Sequence, residues 1–234
     1  MRVDRDHLKR AAAERAVGFV ESGMVIGLGT GSTAAFVAEH LAKRVAQGLA
    51  VVAIPTSEHT AELARRLGIR LASFAEHCRI DLAIDGADEV ERGSLDLIKG
   101  RGGALLREKI VAAASRRFVV VVDDEKLVDR LGEEAAVPVE VAQFGWQATA
   151  AALAKLGADP VLRQSGAQPF VTDGGNFIID CHFGRLGSPA DTERAVNGIV
   201  GVVENGLFIG RSSAVVVASA DGVEIMTRGD RGMS

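Results

Sequence analysis

Apolar residues in this chain fall in short runs, each closed by a polar segment and followed by residues at helical spacing. Asp6 to Val20 sets Leu8, Ala12, Ala16 and Phe19 on one face, with Asp6 near its start, and predicts a helix. Met24 to Leu28 then predicts a buried strand, and Thr33 to Val45 a helix opening directly from a glycine loop. Val51 to Ile54 reads as a strand. Ser57 to Leu67 reads as a helix with Ser57 as its N-cap and Gly68 at the C′ position. Arg70 to Ser73, Leu82 to Ile84 and Phe118 to Val122 continue the strands, and Gly103 to Ser115 supplies another helix. Apolar strands alternating with helices predict an α/β fold, with a mostly parallel sheet covered by helices on both faces.

The pattern changes after about Gly132. Val137 to Phe144 predicts a strand and Trp146 to Leu156 a helix. Pro160 to Arg163 begins a strand that resumes at Phe170, Thr172 to Asn176 is a turn, and Phe177 to Phe183 is the return strand. Ala190 to Ile199 is a helix, followed by Val202-Val203. That order is β-α-β-β-α-β, the ferredoxin-like α+β unit. The runs Leu207 to Ile209, Ala214 to Ala218 and Val223 to Ile225 are β-rich, and some are expected to rejoin the first sheet. The expected organisation is a Rossmann-like domain of residues 1–132 and 207–234, with residues 133–206 inserted as a smaller α+β domain.

Composition narrows the function classes. The apolar share is 47% and the charged share 25%, as in ordinary globular chains. A net charge of −4 with scattered basic residues leaves no electrostatic footprint for nucleic acid, and 4% aromatics leave no stacking surface for single strands. No apolar stretch reaches the roughly 18 residues of a membrane span. Met1 to Lys9 is charged with no apolar core behind it, unlike a signal peptide, so a cytoplasmic protein is expected. Cys78 and Cys181 read as two reduced thiols. None of the five histidines stands at zinc-ligand spacing, so no metal is expected.

Three polar segments at the ends of apolar runs carry the candidate chemistry. The first is Gly29-Thr30-Gly31-Ser32-Thr33. Backbone N–H groups at a helix start attract anions, glycine lets the backbone approach closely, and three hydroxyls add donors. A dinucleotide site would want a third glycine where Ser32 stands and an acid after the second strand, which ends Ile54-Pro55-Thr56. A methyltransferase-type loop would carry an acid where Ile26 stands. A phosphate cradle needs neither and is the favoured reading, with a tight structural turn as the alternative. The second segment is Asp85-Gly86-Ala87-Asp88, whose carboxylates would point into the crevice at the strand ends. They can accept sugar hydroxyls or shuttle protons, or merely cap a turn. The third is Lys99-Gly100-Arg101-Gly102-Gly103, a cation in a permissive loop that could stabilise an oxyanion or a phosphate. Glu108 follows in the next helix. By default it is a solvated glutamate, and it matters only if that helix turns this face to the crevice. Lys126 follows Asp123-Asp124-Glu125 at another strand end, and Lys9 on the first helix could reach an anion.

With these segments in this order, the chain resembles ribose-5-phosphate isomerase of the A type over nearly its whole length. The resemblance is carried by Thr30 to Thr33, Asp85 to Asp88, Lys99 to Gly102, Arg107-Glu108-Lys109, Val122 to Lys126 and Pro138-Val-Glu-Val141. It implies interconversion of D-ribose 5-phosphate and D-ribulose 5-phosphate in the pentose phosphate pathway, by an enediolate route without metal or nucleotide cofactor. It implies Glu108 as the base moving a proton between C1 and C2. Asp85, Asp88 and Lys99 would bind hydroxyls, stabilise charge or assist ring opening. Ser32, Thr33, Lys9 and Lys126 would hold the phosphate. Thr30, Gly31, Gly86, Ala87, Gly100, Arg101 and Gly102 would complete the substrate contacts.

Partial burial is expected to raise the Glu108 pKa, as suits a base near neutral pH. The resemblance also implies a homodimer or dimer of dimers, with the inserted domain contributing to assembly. Two departures stand out. Arg101 replaces a glycine common in the family's motif, and Asp173-Gly174-Gly175-Asn176 has glycine where asparagine is frequent. An isomerase–deaminase or acyl-transfer enzyme of related fold, and a sugar-phosphate sensor without turnover, are the alternatives. A sensor would normally carry a further DNA-binding or partner domain, and none is legible here.

Overall fold

The computed structural model describes residues 5–228. The charged stretch Met1 to Lys9 therefore enters from Arg5 onward, and residues 229–234 of the expected first domain also lie outside the described residues. The chain divides into two compact units. The first runs to Ala87, resumes over Arg107–Leu127 and again from Arg211; the second comprises Asp88–Leu106 and Val128–Gly210. The division differs from residues 133–206 alone, because Asp88–Leu106 goes with the second unit.

The first unit is a six-stranded sheet. Across it run Gly222–Thr227, Ala214–Ser219, Ser115–Asp123, Ile80–Asp85, Val25–Leu28 and Val52–Pro55. The last five of these are mutually parallel, and Gly222–Thr227 returns antiparallel as the edge. Val25–Leu28 and Ile80–Asp85 are neighbours, yet the chain leaves the first toward Val52–Pro55 and the second toward Ser115–Asp123. This is the topological switch point of the sheet, where connections diverge and a crevice opens at the strand C-termini. Two helices, α1 (Arg5–Val17) and α2 (Ser32–Ala46), pack with the strands. Ala12 and Ala16 of α1 and Val37 and Leu41 of α2 join Ile26, Leu28, Leu82, Ile84, Val119 and Val216 in one buried cluster. Each fully buried Ile, Leu or Val there contributes about 1.5–3 kcal/mol.

Local chemistry sets the element ends. Helix α3 (Glu58–Arg66) starts where the Ser57 hydroxyl accepts from the Thr60 N–H at 3.0 Å, and Gly68 follows its end with φ of 74°. The expected strand Arg70 to Ser73 reduces to a bridge between Leu71 and Ala53. Its continuation is turned aside because the Glu76 carboxylate takes both the N–H and the hydroxyl of Ser73.

In the second unit, Val202–Asn205, Val137–Val141, Phe177–His182 and Asp159–Leu162 form an all-antiparallel sheet in that spatial order. Helices α5 (Trp146–Lys155) and α6 (Pro189–Asn197) make the two crossovers, giving the ferredoxin-like β-α-β-β-α-β topology expected. Leu153, Val196, Val139, Val141, Ile179 and Cys181 share its core. Between Leu162 and Phe170 the chain makes a small ribbon, Gln164–Ser165 against Gln168–Pro169, rather than one interrupted strand. Ala214–Ser219 and Gly222–Thr227 rejoin the first sheet, whereas Leu207–Phe208 pairs with Leu97–Ile98 in the second unit.

Candidate active site

In the first unit the glycine loop and Asp85 meet at the switch point. A Cβ on Gly29 would lie 2.0 Å from Asp85 Oδ1, so only glycine admits that carboxylate. The same oxygen accepts from the N–H groups of Thr30 at 3.1 Å and Gly86 at 2.8 Å, and Asp85 is 3% exposed. A buried carboxylate held by backbone donors has a fixed orientation. The Thr30 hydroxyl is occupied elsewhere. It lies 2.7 Å from the Thr56 hydroxyl, 2.9 Å from that of Ser57 and 3.2 Å from that of Thr60, and Thr60 in turn donates to the Gly29 carbonyl at 2.9 Å. Thr30 thus stiffens the loop through a hydroxyl cluster that the sequence reading missed.

Gly31, with φ of 103°, precedes α2 and has no side chain to cap it. The start of this 15-residue helix thus has no side-chain cap, and exposed Ser32 and half-buried Thr33 stand in its first turn. Gly86 lies against Thr33, with its Cβ position 3.5 Å from the threonine Cβ. The two lysines expected at the phosphate, Lys9 and Lys126, also belong to this unit. Lys9 stands on α1 and pairs with Asp6 at 3.5 Å. Lys126 ends a 3₁₀ turn, Asp124–Lys126, after strand Ser115–Asp123. Arg5, one turn before Lys9, binds Asp124 at 2.7 Å and also pairs with Glu125, which ties the start of α1 to the Lys126 turn.

Glu108 lies in the first turn of α4 (Leu105–Ala114) and is 4% exposed, so the default reading of a solvated helix glutamate does not hold. Val111, three residues on, faces Gly27, where a Cβ would stand 2.4 Å from the valine Cγ1. Glu108 shares that inward face. The neighbouring Arg107 instead reaches Glu58 on α3 at 2.9 Å.

The second unit holds Asp88, Lys99 and the glycine-rich loop. Asp88 Oδ2 accepts from the Arg101 N–H at 2.9 Å, and the Asp88 N–H donates to the Ile98 carbonyl. Lys99 is 3% exposed, with its ammonium 5.6 Å from the Phe208 ring centroid. Its N–H donates to the Gly206 carbonyl at 2.9 Å. Gly100 turns the chain with φ of 110°, and Gly103 donates back to its carbonyl at 3.0 Å. Arg101 is exposed; its backbone holds the loop while its side chain lies at the surface. Gly102 is exposed and Ala87 half-buried.

Arg163 and Asp180, absent from the sequence reading, join this loop. Arg163 Nη1 donates to the carbonyls of Gly100 at 2.8 Å and Arg101 at 3.1 Å, and Nε and Nη2 grip Asp180. Glu140 of the Pro138–Val141 segment is buried and accepts from Thr172 and Asn176, which closes the turn containing Gly174 and Gly175. Among the described residues no cluster of three His, Cys, Asp or Glu side chains is placed to hold a metal ion.

Residues 52–222 match the family ribose 5-phosphate isomerase A (phosphoriboisomerase A). The ribose-5-phosphate isomerase A of Gloeobacter violaceus is 60% identical over 225 residues, covering 96% of this chain and 98% of its own. Among solved structures, ribose 5-phosphate isomerase A from Methanocaldococcus jannaschii aligns with a TM-score of 0.91 at 42% identity, over 95% of this chain and 99% of that one. A D-ribose-5-phosphate isomerase in complex with phospho-erythronic acid aligns with a TM-score of 0.94 at 41% identity, over 97% and 100% of the two chains.

Proposed function

The chain belongs to the ribose 5-phosphate isomerase A family, and we propose that Glu108 is the base of its reaction. The protein is a ribose-5-phosphate isomerase of the pentose phosphate pathway and binds a phosphorylated pentose. On this proposal the Glu108 carboxylate takes the proton from C2 of the open-chain aldose. The C2–H electron pair becomes the C1–C2 double bond and the carbonyl oxygen O1 takes the negative charge. A proton passes from O2 to O1, and Glu108 returns its proton to C1, leaving the carbonyl at C2. Lys99 stabilises the enediolate oxygen, and Asp85 and Asp88 hold hydroxyls and assist ring opening. The α2 N-terminus with Ser32 and Thr33, and the ammonium groups of Lys9 and Lys126, grip the phosphate remote from the reacting carbons.

The observation that carries this reading is the burial of Glu108 on the inward face of α4. A carboxylate withdrawn from water has its charge and direction set by the protein, as a base over a weak carbon acid requires. The support for a phosphate grip at α2 is its glycine cap, together with the relative solved in complex with phospho-erythronic acid.

The test is ketose formation from D-ribose 5-phosphate, with chelator present, by the wild type and Glu108→Gln. The wild type is expected to turn over, and the variant to lose about 10²–10⁴-fold in kcat while remaining folded. The acid limb of the wild-type pH–rate profile should vanish with it. Equal activity in both would move the base to Asp85 or Asp88. Recovery that depended on added metal would overturn the metal-free route.

We further propose a cytoplasmic homodimer or dimer of dimers, assembled in part through the second unit. Phe144 is 98% exposed and Val200 93% exposed there. The Ala142 N–H donates to the Gly201 carbonyl and the Thr149 hydroxyl to that of Val200, so the segments that carry these two residues are tied together.

A further inference from the structure

We propose that Arg163, oriented by Asp180, is a positioning residue that fixes the Gly100–Arg101 and Arg101–Gly102 peptides of the loop begun by Lys99 and so sets where the Lys99 ammonium stands. The inference rests on the role given to Lys99 above and extends it to residues with no part in the chemistry. Three of the five residues in Lys99-Gly100-Arg101-Gly102-Gly103 are glycine. Such a segment loses more backbone freedom on ordering than any other, and left alone it samples many conformers. A lysine at its start would then carry its charge through a range of positions. Charge stabilisation of an enediolate depends on a donor already in place.

The loop is held from several sides within its own unit. The Lys99 N–H is bound to Gly206 and the Arg101 N–H to Asp88. Gly103 lies under the Phe170 ring, where a Cβ would come within 2.3 Å of the ring carbon Cζ. These contacts fix N–H groups and one end. The carbonyls of Gly100 and Arg101 both accept from Arg163, and that of Gly100 also from the Gly103 N–H.

A guanidinium suits the task because its donors form a rigid planar fork. Nε and Nη2 engage Asp180, and Nη1 is thereby aimed at both carbonyls. Asp180 is set in the central strand Phe177–His182. The Arg163 backbone bonds to Ile178 at 2.8 Å and to Phe170 at 2.9 Å, so the clamp stands on the sheet and not on a loop. The Arg163 side chain is 14% exposed, which shields these bonds from competing water.

The test compares Arg163→Met, Arg163→Lys and Asp180→Asn with the wild type, on kcat, KM and thermal midpoint, and places Arg163→Met in a Lys99→Gln background. Displacing the Lys99 ammonium by about 1 Å should lower kcat about 10–100-fold. KM should move less than about 3-fold, because the phosphate grip lies elsewhere. Lysine supplies one point donor in place of the fork, so Arg163→Lys should recover only part of the loss. In the Lys99→Gln background the Arg163→Met change should cost less than about 2-fold further, since the group it positions is gone.

A full additional loss in that background, or an unchanged kcat in a folded Arg163→Met enzyme, would overturn the proposal. If Arg163→Met fails to fold, Asp180→Asn decides. It keeps the guanidinium but removes its charged anchor, and an unchanged kcat there would equally overturn the clamp. A wild type inert toward ribose 5-phosphate would overturn the functional reading itself. An active wild type with indifferent variants would overturn only the clamp.

Discussion

Cys181 has no exposed surface, and burial together with the neighbouring Asp180 carboxylate pushes its thiol up to about 12. Cys78 is exposed, and both cysteines are free thiols. Native protein at pH 8 is therefore expected to titrate one thiol per chain with an aromatic disulfide reagent, and two once denaturant is added. Two fast-reacting thiols in the native state would contradict the buried setting. The sign of the linkage follows from the direction of the shift. Between the unfolded value of about 9 and about 12, the folded state binds the proton more tightly than the unfolded chain. The contribution of Cys181 to stability is thus complete below that window and is lost as pH rises through it. What was legible at this scale was residue type and place along the chain. Asp85 at the end of its strand and the glycine loop before its helix read correctly as elements, whereas Glu108 read by default as a solvated helix glutamate and is buried. The destination of the Thr30 hydroxyl was not legible, because its partners lie 26 to 30 residues away at the start of α3. Arg163 and Asp180 gave no signal, since a strand-end arginine and a strand aspartate read as ordinary solvated charges.

Helix α4 presents Glu108 only as accurately as it is seated, and the seat is Gly27 in the strand Val25–Leu28. A Cβ there would stand 2.4 Å from Val111 Cγ1 and 2.9 Å from the Ala83 Cβ. The contact is among side chains of a well-packed interior, where added volume forces backbone shifts. Gly27→Ala is expected to destabilise the fold by about 1–3 kcal/mol. It should also lower kcat, because Glu108 lies one turn from the displaced contact. The midpoint of urea unfolding and a steady-state assay on the same preparation check both effects. Wild-type values for both would show that the helix is seated elsewhere. Elements with strong periodicity and chemical punctuation were legible: α3 with its Ser57 cap, and the two crossover helices of the second unit. Short extended pieces were not. Arg70 to Ser73 looked like a strand by composition, but hydrogen bonds from Ser73 to the Glu76 carboxylate ended it after a single bridge. The ribbon after Leu162 turns at Gly166, whose φ of 64° is a local feature with no hydrophobic period behind it.

At the scale of the molecule, alternation of strands and helices was enough to give the parallel sheet, and β-α-β-β-α-β order enough to give the smaller one. The allotment of Asp88–Leu106 was out of reach, because Leu97–Ile98 is paired by Leu207–Phe208, more than a hundred residues later. Assembly is the remaining property of this scale. Isolated surface hydrophobics are ordinary, but a phenylalanine and a valine that are both almost fully exposed in one unit are apolar surface that association would cover. The hydrogen bonds from Ala142 to Gly201 and from Thr149 to Val200 hold the segments on either side of Phe144 and the Val200 carbonyl, which lowers the order lost on association. Sedimentation equilibrium should accordingly give the wild type a mass that is a whole multiple of the chain. Phe144→Ser combined with Val200→Ser should shift it toward the single chain without changing the unfolding midpoint of the core. Both side chains are exposed in the isolated chain, so their loss removes no internal packing, and a change in mass alone can be assigned to the contact between copies. A wild type that sediments as one chain, or a double variant with unaltered mass, would remove this surface from the assembly.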